Sequence, residues 1–512
     1  MNTLLPQGFS IRLSDRTRVC DGGASLVGGA RGGVVYLGPE ARGRIGADGL
    51  LVVADDTDAA LAAALLDGGY ADPDFSPSRP SDDLSTAVGG SVTLVVPVYG
   101  RAEGLARLLR ALPSALAVIV VDDASPDPRA IAALARAHGA RLVRLERNAG
   151  PAAARNAGLA LAGTALVAFC DSDVVPEPGW LATLARHFAD PGLAVVAPRV
   201  LGPPRRGVES VIERYEQARS SLDLGDRPGP VRPGTPVAYL PAACLLARRG
   251  ALGGGFDESM RCGEDVDLIW RLVAAGWRVR YDPAAAVRHD HRTRPWEWLR
   301  RKAFYGTSAG PLAARHGDAV APLALTAWSG AFTVALLAQR RWSLPLAALI
   351  WGAATVRVAG RLHRSGRPLL SAAALTVQGA VAGPWQVASA MTRHHWPLAL
   401  LAAAHSRRAR RALLVSAVVE ALVDRRRTRA DLDPVRYLVA RRLDDVAYGA
   451  GLWWGVLHQI SSPRTGPGRA RWPAVQALLP ALRRSGPSAR RERVAGSGHR
   501  FGPVPSRRVA RG

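Results

Sequence analysis

The chain has 512 residues, 48% of them apolar, and a formal net charge of +25, which suits a large core divided among two or three units. Its basic residues are nearly all arginine, with Lys302 the only lysine, so the charge calls for an acidic partner without choosing among nucleic acid, membrane lipid and sugar nucleotide. Four cysteines, Cys20, Cys170, Cys244 and Cys262, have neither CxxC spacing nor an even local framework, which argues against zinc and structural disulfides and for a reducing cytosol.

The first residues, MNTLLPQGFSIRL, carry no basic segment leading into an apolar run, so no cleaved signal peptide is expected. Residues 1–75 read as a small α+β module. Alternation in FSIRL, GGVVYL and LLVVA predicts short strands, and Asp58 to Leu66 predicts a helix closed by Gly68 and Gly69. The module is either a cap on the next unit or a peptide-docking domain. A linker rich in Pro and Ser follows over 76–90.

From Ser91 the pattern changes. Apolar β-branched runs at 92–98, 117–121 and 165–170 alternate with helix-period segments at 103–112, 128–138 and 151–162, which predicts parallel strands with crossover helices. Two acidic clusters close these strands at their carboxyl ends, Asp122 with Asp123 and Asp171 with Asp173, at the edge where open parallel sheets bind ligands. An enzyme using a nucleotide sugar needs carboxylates that hold a divalent metal against the diphosphate, and the DSD pair Asp171 and Asp173 supplies them. Aspartates also cap helices, which is the plainer reading of a lone DxD.

Arg155 lies in a helix of small residues with few other polar groups. It is therefore directed at Asp171 or the diphosphate, a solvated helix face being the alternative. Downstream, Glu264, Asp265 and Asp267 open a helix whose apolar face is Val266, Leu268, Ile269, Leu272 and Val273. Acids in a first turn stabilise the positive end of a helix. Glycosyl transfer also needs a carboxylate to take the proton of the attacking hydroxyl, and Asp265 is the candidate base, with Glu264 beside it.

Taken together, VVPVY, VVDDAS, NAGPAAARNAGL, DSD, GGFDE and GEDVDL, in that order over residues 91–292, resemble the inverting family 2 glycosyltransferases, which have a GT-A fold. The resemblance implies that Pro97, Tyr99, Asp122 and Asp123 line the nucleoside pocket, that Asp173 with Mg²⁺ or Mn²⁺ holds the diphosphate, and that Asp265 is the base. His289, in VRHDHR, resembles the histidine that often completes the metal or diphosphate site in this fold. His291 competes for that place, and a loop histidine without a role is the alternative. The QxxRW segment of processive members is missing, which argues against a polymerase making long chains.

Beyond Arg294 a helical, membrane-associated region is expected over 295–460. Trp296, Trp298, Arg300, Arg301, Lys302, Phe304 and Tyr305 mix aromatics with cations as a segment at a membrane surface would. The uncharged runs 319–338 and 368–390 predict two crossings, with 343–356 too short to span and lying in the interface. HSRRARRALLVSAVVEALVDRRRTR predicts a basic amphipathic helix on anionic lipid, and 461–512 predicts a basic disordered tail. No binding motif supports nucleic acid as a partner.

The chain's ends, LPQGFSIRLSDRTRVCDGGASLVGG and DDVAYGAGLWWGVL, narrow the resemblance to the membrane-associated glycosyltransferases of mycofactocin biosynthesis. That family implies transfer of glucose from UDP-glucose, as a β-1,4-linked oligomer, to a small peptide-derived redox cofactor, with the catalytic unit on the cytoplasmic side of the cell membrane. A related enzyme acting on a polyprenyl phosphate or envelope glycolipid competes with this reading. A noncatalytic basic adaptor is the third, and it would have no use for DSD or GED.

Overall fold

The computed structural model describes residues 4–76, 91–204, 207, 209–290, 293–362, 364–461, 476–478 and 481–483. Nearly all of the expected linker and of the expected disordered tail, and His291, lie outside the described residues.

The centre of the molecule is a nine-stranded mixed sheet. Its order is Val174–Pro176, Arg278–His289, Leu193–Leu201, Cys244–Arg248, Leu166–Cys170, Val92–Val98, Ala117–Asp122 and Arg141–Arg144, with Gly229–Pro230 paired to Arg278–His289. The four strands from Leu166–Cys170 to Arg141–Arg144 run parallel, joined by the helices Ala102–Ala111, Pro128–Ala137 and Pro151–Leu161. Val92–Val98 is a continuous β-branched run because helices cover both of its faces. Leu94, Val96 and Val98 pack with Leu105 and Leu108 on one face, and Val95 packs with Ala154 and Leu268 on the other. Cys244–Arg248 runs antiparallel to both of its neighbours, so the second half of the sheet is mixed.

The N-terminal residues form two three-stranded antiparallel sheets and the helix Asp56–Gly68. That helix begins at Asp55, whose carboxylate accepts from the Asp58 amide at 2.8 Å, as an N-cap should. Asp67 at its end pairs with Arg232 at 3.0 Å and Arg278 at 3.1 Å, which docks the module on the central sheet.

The C-terminal helices correct two expectations. The run 319–338 is no single span: a 3₁₀ turn at Gly317–Val320 and a short strand at Ala324–Thr326 precede the 11-residue helix Ala327–Leu337, which at ~1.5 Å per residue is too short for a ~30 Å hydrocarbon core. The helix Ser343–Arg361, by contrast, has 19 residues and is, among the described residues, the one helix long and apolar enough to cross a membrane, so the crossing expected at 368–390 is not met by the helix Pro368–Ser389. The expectation of an interfacial 343–356 stopped short because the helix continues through Arg357 and Arg361.

The second correction concerns Pro295–Gly306, expected at a lipid surface. Its aromatics and cations divide. Trp296 is exposed, whereas Trp298 and Lys302 are buried against the 28-residue helix Pro434–Ser461. Trp298 Nε1 donates to Glu216 Oε1 at 2.8 Å, and Lys302 Nζ meets the same carboxylate at 2.8 Å and Asp444 at 3.8 Å. Such buried charges add little net stability against a well-packed apolar alternative, but losing one partner strands the rest, so they fix one arrangement of these helices.

Candidate active site

Three loops at the carboxyl edge of the sheet and the start of one helix converge on a cavity of about 860 Å³. Pro97 and Tyr99, at the end of the first strand, line one side, and Tyr99 is half exposed with its ring free to stack on a flat ligand. Asp123 accepts the amides of Ala149 at 2.7 Å and Gly150 at 2.9 Å, and so shapes the turn that enters the helix Pro151–Leu161. Asp122 is placed differently from its expected role. It is fully buried, accepts from the Ser125 amide at 2.8 Å and pairs with Arg144, and it does not line the cavity. The two neighbouring carboxylates point to opposite sides because side chains alternate along an extended chain.

Arg155 is buried and bridges the two acidic motifs. Its Nη2 donates to Asp171 Oδ1 at 2.7 Å and its Nη1 to Glu264 Oε1 at 2.8 Å, while its guanidinium lies 5.3 Å from the Phe256 ring centre. The small-residue helix thus carries a cation that locks DSD to GED. Asp173 pairs with Arg101, and its Oδ1 stands 3.6 Å from His289 Nε2. The sheet register sets that meeting, since Val174 pairs with His289 across antiparallel strands.

Asp265 sits in the first turn of Glu264–Ala274, a helix entered through Gly263 at φ 79°, a left-handed backbone that glycine adopts without strain. A Cβ at Gly263 would also come within 2.9 Å of the Ser308 side chain, so the turn is closed by the C-terminal helices. The Ala242 and Val266 amides donate to the Asp265 carboxylate at 3.1 and 2.8 Å. The loop bearing Ala242 is held in turn by Trp270, whose Nε1 donates to Ala238 O at 2.8 Å. Burial, and then the neighbouring charge of Glu264, push the Asp265 carboxyl up to about 6 despite those amides and Arg155. A carboxylate poised near neutrality suits proton abstraction. Glu264, paired with Arg155, has its charge already compensated.

Of the residues singled out from the sequence, Pro97, Tyr99, Asp123, Arg155, Asp171, Asp173, Glu264, Asp265 and His289 all line this cavity. Tyr239, Arg301, Tyr305, Arg393 and Tyr448 line it as well and were not expected. The signal at Arg301 and Tyr305 was present, but an aromatic–cation cluster reads alike for a lipid surface and for a binding wall.

The family model for glycosyl transferase family 2 matches residues 93–252. A pre-mycofactocin glycosyltransferase of Mycobacterium tuberculosis is 46% identical over 469 residues, which cover 89% of this chain and 97% of that protein. The chain belongs to the pre-mycofactocin glycosyltransferases. As a member of that family it is an enzyme, a family 2 glycosyltransferase with a GT-A domain and a helical C-terminal region. A succinoglycan biosynthesis protein of Rhizobium meliloti is 32% identical over 218 residues, 38% of this chain and 59% of that one. A solved mannosyltransferase from Pyrobaculum calidifontis, in complex with GDP-Man and Mn²⁺, aligns with a TM-score of 0.35 at 21% identity, covering 58% of this chain and 87% of that one.

Proposed function

We propose that this pre-mycofactocin glycosyltransferase moves glucose from UDP-glucose, with inversion, to the small peptide-derived redox cofactor of the mycofactocin pathway, and adds further glucose as a β-1,4-linked oligomer. The single observation that carries the mechanism is Asp265, held by two backbone amides at the cavity wall with its carboxyl near 6. In one displacement the acceptor oxygen bonds to the anomeric carbon as the bond from that carbon to the diphosphate breaks. The electron pair leaves on the diphosphate, and the hydroxyl proton goes to Asp265. Attack from the face opposite the leaving group inverts the anomeric centre without a covalent enzyme intermediate.

Pro97, Tyr99 and Asp123 receive the nucleoside in this reading, and Asp122 supports them from behind by holding Ser125, whose hydroxyl accepts from the Gly100 amide at 2.8 Å. Arg155 keeps Asp171 and Glu264 in place. Among the described residues no group of three or more His, Cys, Asp or Glu side chains is gathered for a metal. Asp173 and His289, 3.6 Å apart, would hold a Mg²⁺ or Mn²⁺ ion together with phosphate and water, with Arg101 giving up its pairing to Asp173, and Asp171 lines the same cavity. When bound, the cation would neutralise charge on the diphosphate.

We assign the enzyme to the cell membrane with its catalytic unit on the cytoplasmic side. Ser343–Arg361 supports the membrane part of this assignment, as do the exposed Leu344, Leu349, Val356, Leu369 and Leu370. A screen of nucleotide sugars, scoring released nucleotide with the purified acceptor present, tests the donor. Release of UDP from UDP-glucose alone is the expected result, and preference for another donor would overturn that part of the reading. Release of UDP only when a polyprenyl phosphate replaces the peptide-derived acceptor would favour the envelope-lipid reading instead.

A further inference from the structure

Two guanidinium groups line the cavity without a carboxylate partner among the described residues, Arg261 and Arg301. Arg261 sits on a loop near Gly150. Arg301 is built in. It stands on the helix Pro295–Gly306, beside Lys302, which is anchored by Glu216, Asp444 and the Ser221 hydroxyl. Its own Nε donates to Tyr305 Oη at 2.9 Å, and its guanidinium lies 4.9 Å from the Tyr305 ring centre. A guanidinium held by Nε and by one face has both terminal nitrogens left for a planar, two-pronged acceptor, the geometry in which arginine binds phosphate. Asp171 and Asp173 of the DSD motif line the same cavity as Arg301.

We propose that Arg301 is a substrate-binding residue contributed by the C-terminal helices, which grips the nucleoside diphosphate and stabilises the charge it gains as it leaves. The proposal rests on the glycosyltransferase reading but on no particular sugar or base. As the bond to the anomeric carbon breaks, its electron pair passes to a terminal diphosphate oxygen. A fixed cation at that oxygen acts most strongly in the transition state and in the product complex. The helical region then supplies part of the chemistry as well as attachment to the membrane, and Tyr305 is its positioning residue.

The experiment compares binding of UDP and of uridine to the full-length detergent-solubilised protein by calorimetry, in wild type, Arg301→Gln, Arg301→Lys and Tyr305→Phe. If the donor screen selects another base, that nucleoside and its diphosphate replace the pair. Arg301→Gln is expected to weaken UDP by ~10-fold or more, the loss of one charged hydrogen-bonded contact, with uridine unchanged and kcat lowered by ~10²-fold. Arg301→Lys should recover only part, because an ammonium cannot fork, and Tyr305→Phe should show a smaller loss of the same kind. Equal weakening of uridine and UDP would mean that Arg301 merely supports the fold, and would overturn the proposal. So would full kcat in Arg301→Gln, or a loss confined to a short-chain polyprenyl phosphate with UDP binding intact, which would place Arg301 at an acceptor phosphate.

Discussion

At the scale of single residues the account turns on Asp265. Asp265→Asn keeps shape and hydrogen bonding but cannot take a proton, so transfer should fall by ~10²-fold or more while donor affinity stays within about twofold. Retained turnover would move the base to Glu264. The pH dependence follows from the same carboxyl, raised from 3.8 to about 6 by burial and by Glu264. The base works ionised, so kcat/KM should rise about tenfold per pH unit up to about 6 and then level. Stability runs the other way. A group whose folded value is raised favours the fold only while protonated, so its ionisation costs stability as pH rises from 3.8 through about 6. Asp265→Asn should therefore melt above wild type at neutral pH, with the gap closing below pH 4, and a variant that melts lower at neutral pH would remove the raised carboxyl from the account. Arg155→Met tests the bridge. It strands the buried Glu264 and leaves the part-buried Asp171 unpaired, and should destabilise by ~3 kcal/mol, seen as an earlier denaturant midpoint.

At the scale of elements, the helix Pro295–Gly306 crosses Pro434–Ser461 at glycines. A Cβ at Gly451 would overlap the Ala303 carbonyl, and one at Gly306 would overlap the backbone at Tyr448. Gly451→Ala should then push apart the two helices that carry Arg301, Tyr305 and Tyr448, costing about 1–3 kcal/mol and lowering activity more than any surface substitution on the same helix. Activity and melting temperature equal to wild type would show that the crossing is looser than described. The parallel half of the sheet and its helices were legible in the sequence because each strand is a β-branched run and each helix carries its own apolar period. Asp265, Asp173 and His289 were legible because they close strands or open helices at one edge. The reversed strand Cys244–Arg248 and the cavity wall at Arg301 were not, because their partners lie far along the chain. Lys302 reads as a surface cation until Glu216 and Asp444 are seen beside it. Asp122 and Asp123 look equivalent in VVDDAS, and only the direction of each side chain separates support from lining.

At the scale of the whole molecule, the N-terminal module touches two units and the cavity at neither. Asp67 binds Arg232 and Arg278 of the transferase domain, while the Gly366 amide donates to Asp21 at 2.8 Å and Val34 and Tyr36 pack against Leu362 and Ala372. No residue of 4–76 lines the cavity. These contacts brace the turn between the helices Ser343–Arg361 and Pro368–Ser389 against the sheet, so removing residues 1–76 should lower thermal stability while leaving KM for a small soluble acceptor unchanged. The exposed apolar residues of those helices predict that the protein pellets with membranes, resists high salt and is released by detergent; complete extraction by salt would make it a purely electrostatic surface binder. A chain ended at Arg294 should lack transfer activity toward soluble acceptor too, since Arg301, Tyr305 and Tyr448 leave with the helices.

The central claim is that the enzyme transfers glucose to the peptide-derived cofactor with Asp265 as the base, and one measurement meets it directly. Purified wild-type protein and Asp265→Asn are each incubated with UDP-glucose and the unglycosylated acceptor, and the products are read by mass spectrometry. The account predicts a ladder of hexose additions with wild type and almost none with Asp265→Asn. No hexose on the acceptor with wild type, or an equal ladder with both proteins, would contradict it.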